Sequence, residues 1–252
     1  MSIAPGIAWI IGGSSGLGAA TARLLAARGW TVVISGRRQD RLGEVAGASE
    51  RIHPLPLDIT DLDAVRLAVA EVISTHGRID LFVFGAAGWQ PSPVGDYNFE
   101  RFQKAVDTNL LGLVRIANPV VEQMTRQGNG QFVVVASVAG YFGLPRAAAY
   151  NSTKGALINL SQTMRTELKP RGIAVRMVCP GFFKSELTAK NDFPMPFLLE
   201  TEEAASRMVI GILDSRRFEI VFPRRLVWPL KLMRMLPYWL FFAITDRMMP
   251  PR

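Results

Sequence analysis

The feature that most constrains this chain is a short apolar run, Ile7-Ala-Trp-Ile-Ile11, that ends on Gly12-Gly-Ser-Ser-Gly16-Leu-Gly18 and passes into a helical pattern through Ala19, Ala22, Leu25 and Ala26. Such a run reads as a parallel strand buried on both faces. Strand, glycine turn and helix in immediate succession bring backbone amides and a helix N-terminus to one point, the layout that holds a pyrophosphate. Further strand candidates near 31–35, 52–57, 81–85, 132–136, 174–179 and 218–222 alternate with helical segments. That alternation predicts an α/β fold, a doubly wound parallel sheet. The 252 residues, 49% of them apolar, suffice for one large core.

A second constellation carries chemistry. Tyr150-Asn-Ser-Thr-Lys154 sets a phenol and an ammonium four residues apart, on one face of a helix. Ser137 stands upstream, at the end of the apolar stretch Phe132-Val-Val-Val-Ala136. A free phenol titrates near ~10 and relays protons poorly at neutral pH. A fixed positive charge beside it favours phenolate and lowers that pKa, toward the range of general acid/base catalysis.

With the G-x-x-x-G-x-G spacing of the turn, these residues resemble the short-chain dehydrogenase/reductase family, in the branch whose chains match this one in length. The resemblance covers residues 7 to about 222. Ile11 stands where the family's fingerprint begins with threonine, and all three glycines are kept. Leu57-Asp58-Ile59 looks like the family's adenine-contacting aspartate, Asp107-Thr-Asn109 like the helix of its fourth catalytic residue, and Pro180-Gly181 like its loop over the nicotinamide. Gly85-Ala86-Ala87-Gly88 replaces the family's Asn-Asn-Ala-Gly, and Ser185 replaces its threonine after Pro-Gly.

The resemblance implies a Rossmann-type fold and hydride transfer between a nicotinamide cofactor and a carbonyl/alcohol pair. By that likeness Tyr150 exchanges a proton with the substrate oxygen and Ser137 hydrogen-bonds it. Lys154 lowers the tyrosine pKa and holds the ribose, while Asn109 positions a water toward Lys154. Gly12, Ser14, Ser15, Gly16, Leu17 and Gly18 would cradle the cofactor, with Asp58, Ala86, Ala87, Pro180, Gly181 and Ser185 along its length. A homodimer or homotetramer is expected through the helices of Asn109 and Tyr150, with Leu110, Leu113, Ile116, Leu157 and Leu160 as candidate contacts. A non-catalytic dinucleotide sensor or scaffold is the rival reading, and intact Ser137, Tyr150 and Lys154 argue against it.

Cofactor choice is read at the second strand's end. An NAD-binding unit places a carboxylate there, about 20 residues past the glycines. This chain has Ser35-Gly36-Arg37-Arg38 instead. Two guanidiniums and no acid favour an adenosine 2′-phosphate, hence NADP(H) over NAD(H). The alternative is that both arginines solvate a helix start beside Asp40 and Arg41.

Cys179 stands alone, which excludes an intramolecular disulfide and fits a reducing, cytoplasmic setting; it reads as a small core residue. No Cys/His/carboxylate cluster has metal-ligand spacing, so no metal is expected. No cleavable signal is evident at the N-terminus. Trp89, Gln90, Pro91, Tyr141, Phe142, Leu144, Pro145 and the segment 182–199 are expected to wall an apolar substrate pocket, with Arg146 and Lys184 as possible selectors of an anionic group.

The expected domain division is an NADP-binding catalytic unit over 1–222 and an amphipathic extension over 223–252. The extension holds six Arg/Lys and one Asp, +5 of the formal +8. Its uncharged run from Met235 to Thr245 is too short to span a bilayer, which takes ~20 residues. It suits packing over the pocket or a partner subunit, or peripheral contact with a membrane. Nucleic acid is not expected, because the basic excess sits among apolar residues.

Overall fold

The computed structural model describes residues 4–248. In chain order the elements are β1 (Ile7–Ile11), α1 (Gly16–Ala27), β2 (Thr31–Gly36), α2 (Gln39–Ala46), β3 (Ile52–Pro56), α3 (Leu62–His76), β4 (Leu81–Phe84), α4 (Phe99–Val106), α5 (Gly112–Gln127), β5 (Gly130–Val135), α6 (Ala148–Leu168), β6 (Ile173–Pro180), α7 (Thr201–Leu213), β7 (Glu219–Phe222), α8 (Arg224–Met233) and α9 (Tyr238–Thr245). The seven strands form one parallel sheet in the order β3-β2-β1-β4-β5-β6-β7. All seven expected strands are present, with ends shifted by one or two residues. Residues 249–252 of the expected extension lie outside the described residues.

β1 and β4, at the centre of the sheet, are apolar along their whole length because helices cover both faces. On one face, Ala19, Ala22 and Leu25 of α1 meet Ala204, Met208 and Ile212 of α7 in one core cluster. On the other, α3, α5 and α6 contribute Val65, Ile116 and Leu157 to a second. Pro54 and Pro56 are tolerated in β3 because it is an edge strand, where a missing N–H costs no ladder bond.

Trp9 is fully buried, and its Nε1–H donates to Ser35 Oγ at 2.9 Å. An indole of this kind removes ~150–250 Å² from water, roughly 4–6 kcal/mol, against about 1 kcal/mol for the hydrogen bond. Area dominates, yet Ser35→Ala would strand the N–H at a cost of about 1–3 kcal/mol. The same residue anchors the turn after β1: Ser35 O accepts from Gly12 N at 2.8 Å and Gly13 N at 3.1 Å.

Between β1 and β4 the strand order reverses direction, and a ligand crevice opens at the carboxyl ends there. The turn after β1 and the Gly85–Gly88 segment after β4 both lie at this point, tied by Gly85 N donating to Ile11 O at 2.8 Å.

Candidate active site

The glycine turn is shaped by close approach. A Cβ on Gly18 would fall 2.2 Å from Gly12 O, and one on Gly12, whose φ is +87°, would fall 2.8–2.9 Å from the Gly85–Ala86 peptide. Gly16 has φ +51° and would meet only Ser185 Cβ, at 3.6 Å. The first turn of α1 therefore opens toward Ser185. Its N-cap, Ser15, makes no side-chain cap bond, so the leading amides of a twelve-residue helix face that opening. This cradle fits a pyrophosphate.

At the far end of β2 the two arginines differ. Arg38 donates to Ser15 Oγ at 2.7 Å and to Glu186 Oε2 at 2.8 Å. Arg37 is exposed and lines the cleft. Burial pushes the Asp58 carboxyl up, but hydrogen bonds from Thr60 N and Thr60 Oγ1 and the charges of Arg37 and Lys104 outweigh it, leaving the pKa below the ordinary value.

A cleft of about 350 Å³ runs from Arg37 past Ala87, Trp89 and Lys104 to Tyr150 and Leu187. Tyr150 sits in the first turn of α6, its ring in edge contact with Trp89 at 5.5 Å. Trp89 is fixed by Nε1–H donating to Asn191 Oδ1 at 2.9 Å. Lys154, one turn on, is 1% exposed, and its Nζ lies 5.6 Å from the Tyr150 centroid while donating to Val135 O at 2.8 Å. Ser137 caps a short 3-10 turn by accepting from Ala139 N at 3.1 Å.

The expected lowering of the tyrosine pKa is not what the site produces. Burial raises Tyr150 to about 12, against a lowering influence from Ser137 and a small raising one from Cys179. Burial pulls Lys154 down to about 8. Burial is the largest influence on both groups, and it leaves Tyr150 protonated at neutral pH.

Asn109 lies in a π-helical segment, Asp107–Leu111, between α4 and α5. It is buried; Nδ2 donates to Gly88 O at 3.0 Å and Thr153 Oγ1 at 3.1 Å, and Oδ1 accepts from Gly88 N at 2.6 Å. Only a second lone pair on Oδ1 is left for the expected water. The side chain pins the turn after β4 to α6, a tie that motif order does not reveal.

Ser185 is likewise engaged, within 3.0 Å of Thr188 Oγ1 and accepting from Thr188 N at 3.1 Å. Pro180 ends β6, and a Cβ on Gly181 would fall 2.6 Å from the Leu226 side chain, so α8 packs closely over this loop. Arg146 and Lys184, the expected selectors of an anionic group, each lie in an exposed ion pair: Arg146 is bidentate to Asp192 at 3.1 and 2.8 Å, and Lys184 pairs with Glu200 at 2.5 Å.

One cluster escaped sequence reasoning entirely. Tyr141, in the loop after Ser137, donates to Glu219 Oε1 at 2.7 Å, and Glu219 also holds Lys231 of α8. Burial, then Cys179 and Glu219, raise the Tyr141 pKa, so it stays a donor. Cys179 is fully buried, its thiol pushed up to about 12 chiefly by burial, which makes it a core residue. Tyr141, Glu219 and Lys231 are far apart in the chain, and no spacing signals their meeting. Among the described residues there is no metal-binding group of His, Cys, Asp and Glu.

The sheet order, the glycine cradle at its reversal and the tyrosine–lysine pair beside it define a class of dinucleotide-dependent oxidoreductases. The chain matches the model of the short chain dehydrogenase family over residues 6–194, and it belongs to that family. It is 36% identical over 245 residues, 96% of each chain, to an uncharacterized oxidoreductase of Myxococcus xanthus (strain DK1622). A short-chain dehydrogenase from Streptomyces avermitilis shares the fold with a TM-score of 0.83 at 22% identity, over 96% of this chain and 98% of its own. A 3-ketoacyl-(acyl-carrier-protein) reductase from Brucella melitensis, complexed with NADH, gives a TM-score of 0.79 at 25% identity, over 86% and 94%.

Proposed function

We propose that the protein is an NADP(H)-dependent oxidoreductase that interconverts an apolar carbonyl compound and its alcohol. The observation that carries this reading is the Tyr150 phenol on the cleft wall, with the buried Lys154 ammonium 5.6 Å from its ring centre and the Ser137 hydroxyl beside it.

Gly12, Ser14, Ser15, Gly16, Leu17 and Gly18 would hold the diphosphate, Arg37 with Arg38 the adenosine phosphate, and Asp58 the adenine. Ala86, Ala87, Pro180, Gly181 and Ser185 would flank the nicotinamide half. Bound there, the cofactor supplies or accepts hydride. Tyr150 gives its phenolic proton to the carbonyl oxygen in reduction and takes it from the alcohol in oxidation. Ser137 O–H donates to the same oxygen, where negative charge develops. Once the proton has left, the ammonium of Lys154 faces a phenolate, and its attraction is strongest at that moment.

The NADH complex of the Brucella protein shows that its own site takes the other cofactor; the preference for NADPH here rests on Arg37. Apolar substrates are favoured because Trp89, Pro91, Tyr97, Phe102 and Leu187 line the cleft near Tyr150. Leu113, Ile116 and Leu157 face the sheet, so an oligomer through α5 would use exposed Leu111 and Val114 instead. We expect a homodimer or homotetramer in the cytoplasm; light scattering giving a monomer would contradict the assembly. A screen of apolar ketones and alcohols with NADPH and NADH, read by nicotinamide absorbance, tests the reaction. Cofactor binding with no turnover across the set would favour the sensor or scaffold.

A further inference from the structure

We infer that the outer face of the C-terminal helices α8 and α9 docks on an anionic phospholipid surface. The inner faces of both helices are occupied. Leu226 and Val227 are buried, Phe241 meets Phe142 edge-on at 5.2 Å, and Lys231 is held by Glu219. The outer faces are bare. Trp228, Leu232, Met235, Tyr238, Trp239 and Phe242 fall within residues 228–242, at 64%, 62%, 81%, 78%, 74% and 51% exposure. Trp228 and Leu232 share one side of α8, and Tyr238 stacks on Phe242 at 5.7 Å across one turn of α9. A soluble chain rarely leaves so much aromatic and Met surface in one short stretch.

Charge decides between occupants. Arg224 and Arg225 open α8 and Arg234 caps its end; all three are exposed and in no ion pair among the described residues. Asp246 is the only carboxylate between residues 224 and 248. In a two-fold interface this face would meet itself, and three arginines with a single carboxylate offer it little charge complement. An anionic lipid surface complements them, and Trp and Tyr rings settle at headgroup depth. No helix among the described residues is long and apolar enough to cross a membrane, so the geometry is that of helices lying in the interface. The inner faces, through Phe241 on Phe142 and Leu226 beside Gly181, hold both helices against the loops after β5 and β6.

The test needs no substrate, so its outcome is independent of the proposed reaction. The full chain is co-sedimented with phosphatidylcholine vesicles, with and without phosphatidylglycerol, at low and raised salt. Binding is expected only with phosphatidylglycerol and weakens as salt screens the arginines. Arg224→Gln/Arg225→Gln/Arg234→Gln should weaken it on the order of a hundredfold, at about fivefold per arginine. Trp239→Ser/Met235→Ser should also weaken it, with thermal melting unchanged because both side chains are exposed. Absence of binding by the wild type, or equal binding to phosphatidylcholine alone, would overturn the proposal. So would variants that lower the oligomeric mass while leaving vesicle binding intact, a result that makes the face a self-interface.

Discussion

The Nζ of Lys154 lies 5.6 Å from the centre of the Tyr150 ring and is anchored by a 2.8 Å hydrogen bond to Val135 O, so β5 fixes the ammonium beside the phenol. Holding that charge in the interior has a thermodynamic signature. Its folded pKa, about 8, lies below the ordinary 10.5. Between those values the unfolded chain keeps a proton that the folded chain has released, so this contribution to stability rises with pH through the window. Below about 8 the penalty is full and constant, about 3 kcal/mol for this gap.

Lys154→Met removes that penalty. The unfolding free energy of the wild type minus that of Lys154→Met, from urea titrations, should therefore climb by up to about 3 kcal/mol from neutral pH to about 10. Tyr150 and Cys179, whose raised pKa values act in the opposite sense at alkaline pH, are present in both proteins, so the difference removes the part of their titration that does not depend on Lys154. A flat difference would mean that Lys154 carries its charge without cost.

The proposed preference for NADPH rests on Arg37. Arg38 is already divided between Ser15 and Glu186, whereas Arg37 is exposed on the cleft and close enough to depress Asp58. Arg37→Ala should remove about 1.5–3 kcal/mol of the NADPH-over-NADH preference, the worth of one charged contact. Arg38→Ala should remove less. Calorimetric dissociation constants for both cofactors check this, and equal wild-type values would count against an arginine-selected phosphate.

Glu219 joins the loop after Ser137 to α8 through Tyr141 and Lys231. Glu219→Gln should destabilise the protein by about 1–3 kcal/mol, since a part-buried cation loses its counter-charge and a charge-assisted bond becomes a neutral one. Turnover should fall as well, because the loop that carries Ser137 loosens. Tyr141→Phe should show the same pattern more weakly. Urea unfolding and kcat read both effects, and unchanged stability would remove the cluster from the account.

What could be read from the sequence was local. Ile7–Ile11 with its glycines, and the four-residue step from Tyr150 to Lys154, are fixed by neighbours in the chain, so the parallel α/β sheet and the placing of Tyr150 and Lys154 one turn apart on a single helix followed from them. What failed depended on distant partners or on depth. Spacing places Lys154 beside Tyr150, but it does not reveal that Lys154 is buried deeply enough for its pKa to fall. Asn109 is spent on Gly88 and Thr153, and Arg146 on Asp192, through contacts that no periodicity encodes. Leu113, Ile116 and Leu157 face the sheet because α5 and α6 turn their apolar stripes inward, leaving Leu111 and Val114 outside.

The central claim is that the phenolic proton of Tyr150 is the one exchanged with substrate. It is tested most directly by Tyr150→Phe, which deletes one oxygen and keeps the ring that meets Trp89 at 5.5 Å. Single-turnover reduction of an apolar ketone by NADPH should fall by about 100-fold or more, the usual scale of positioned acid catalysis. NADPH affinity, measured in the same preparation, should stay nearly unchanged. A Phe variant that keeps most of its reduction rate would contradict the account.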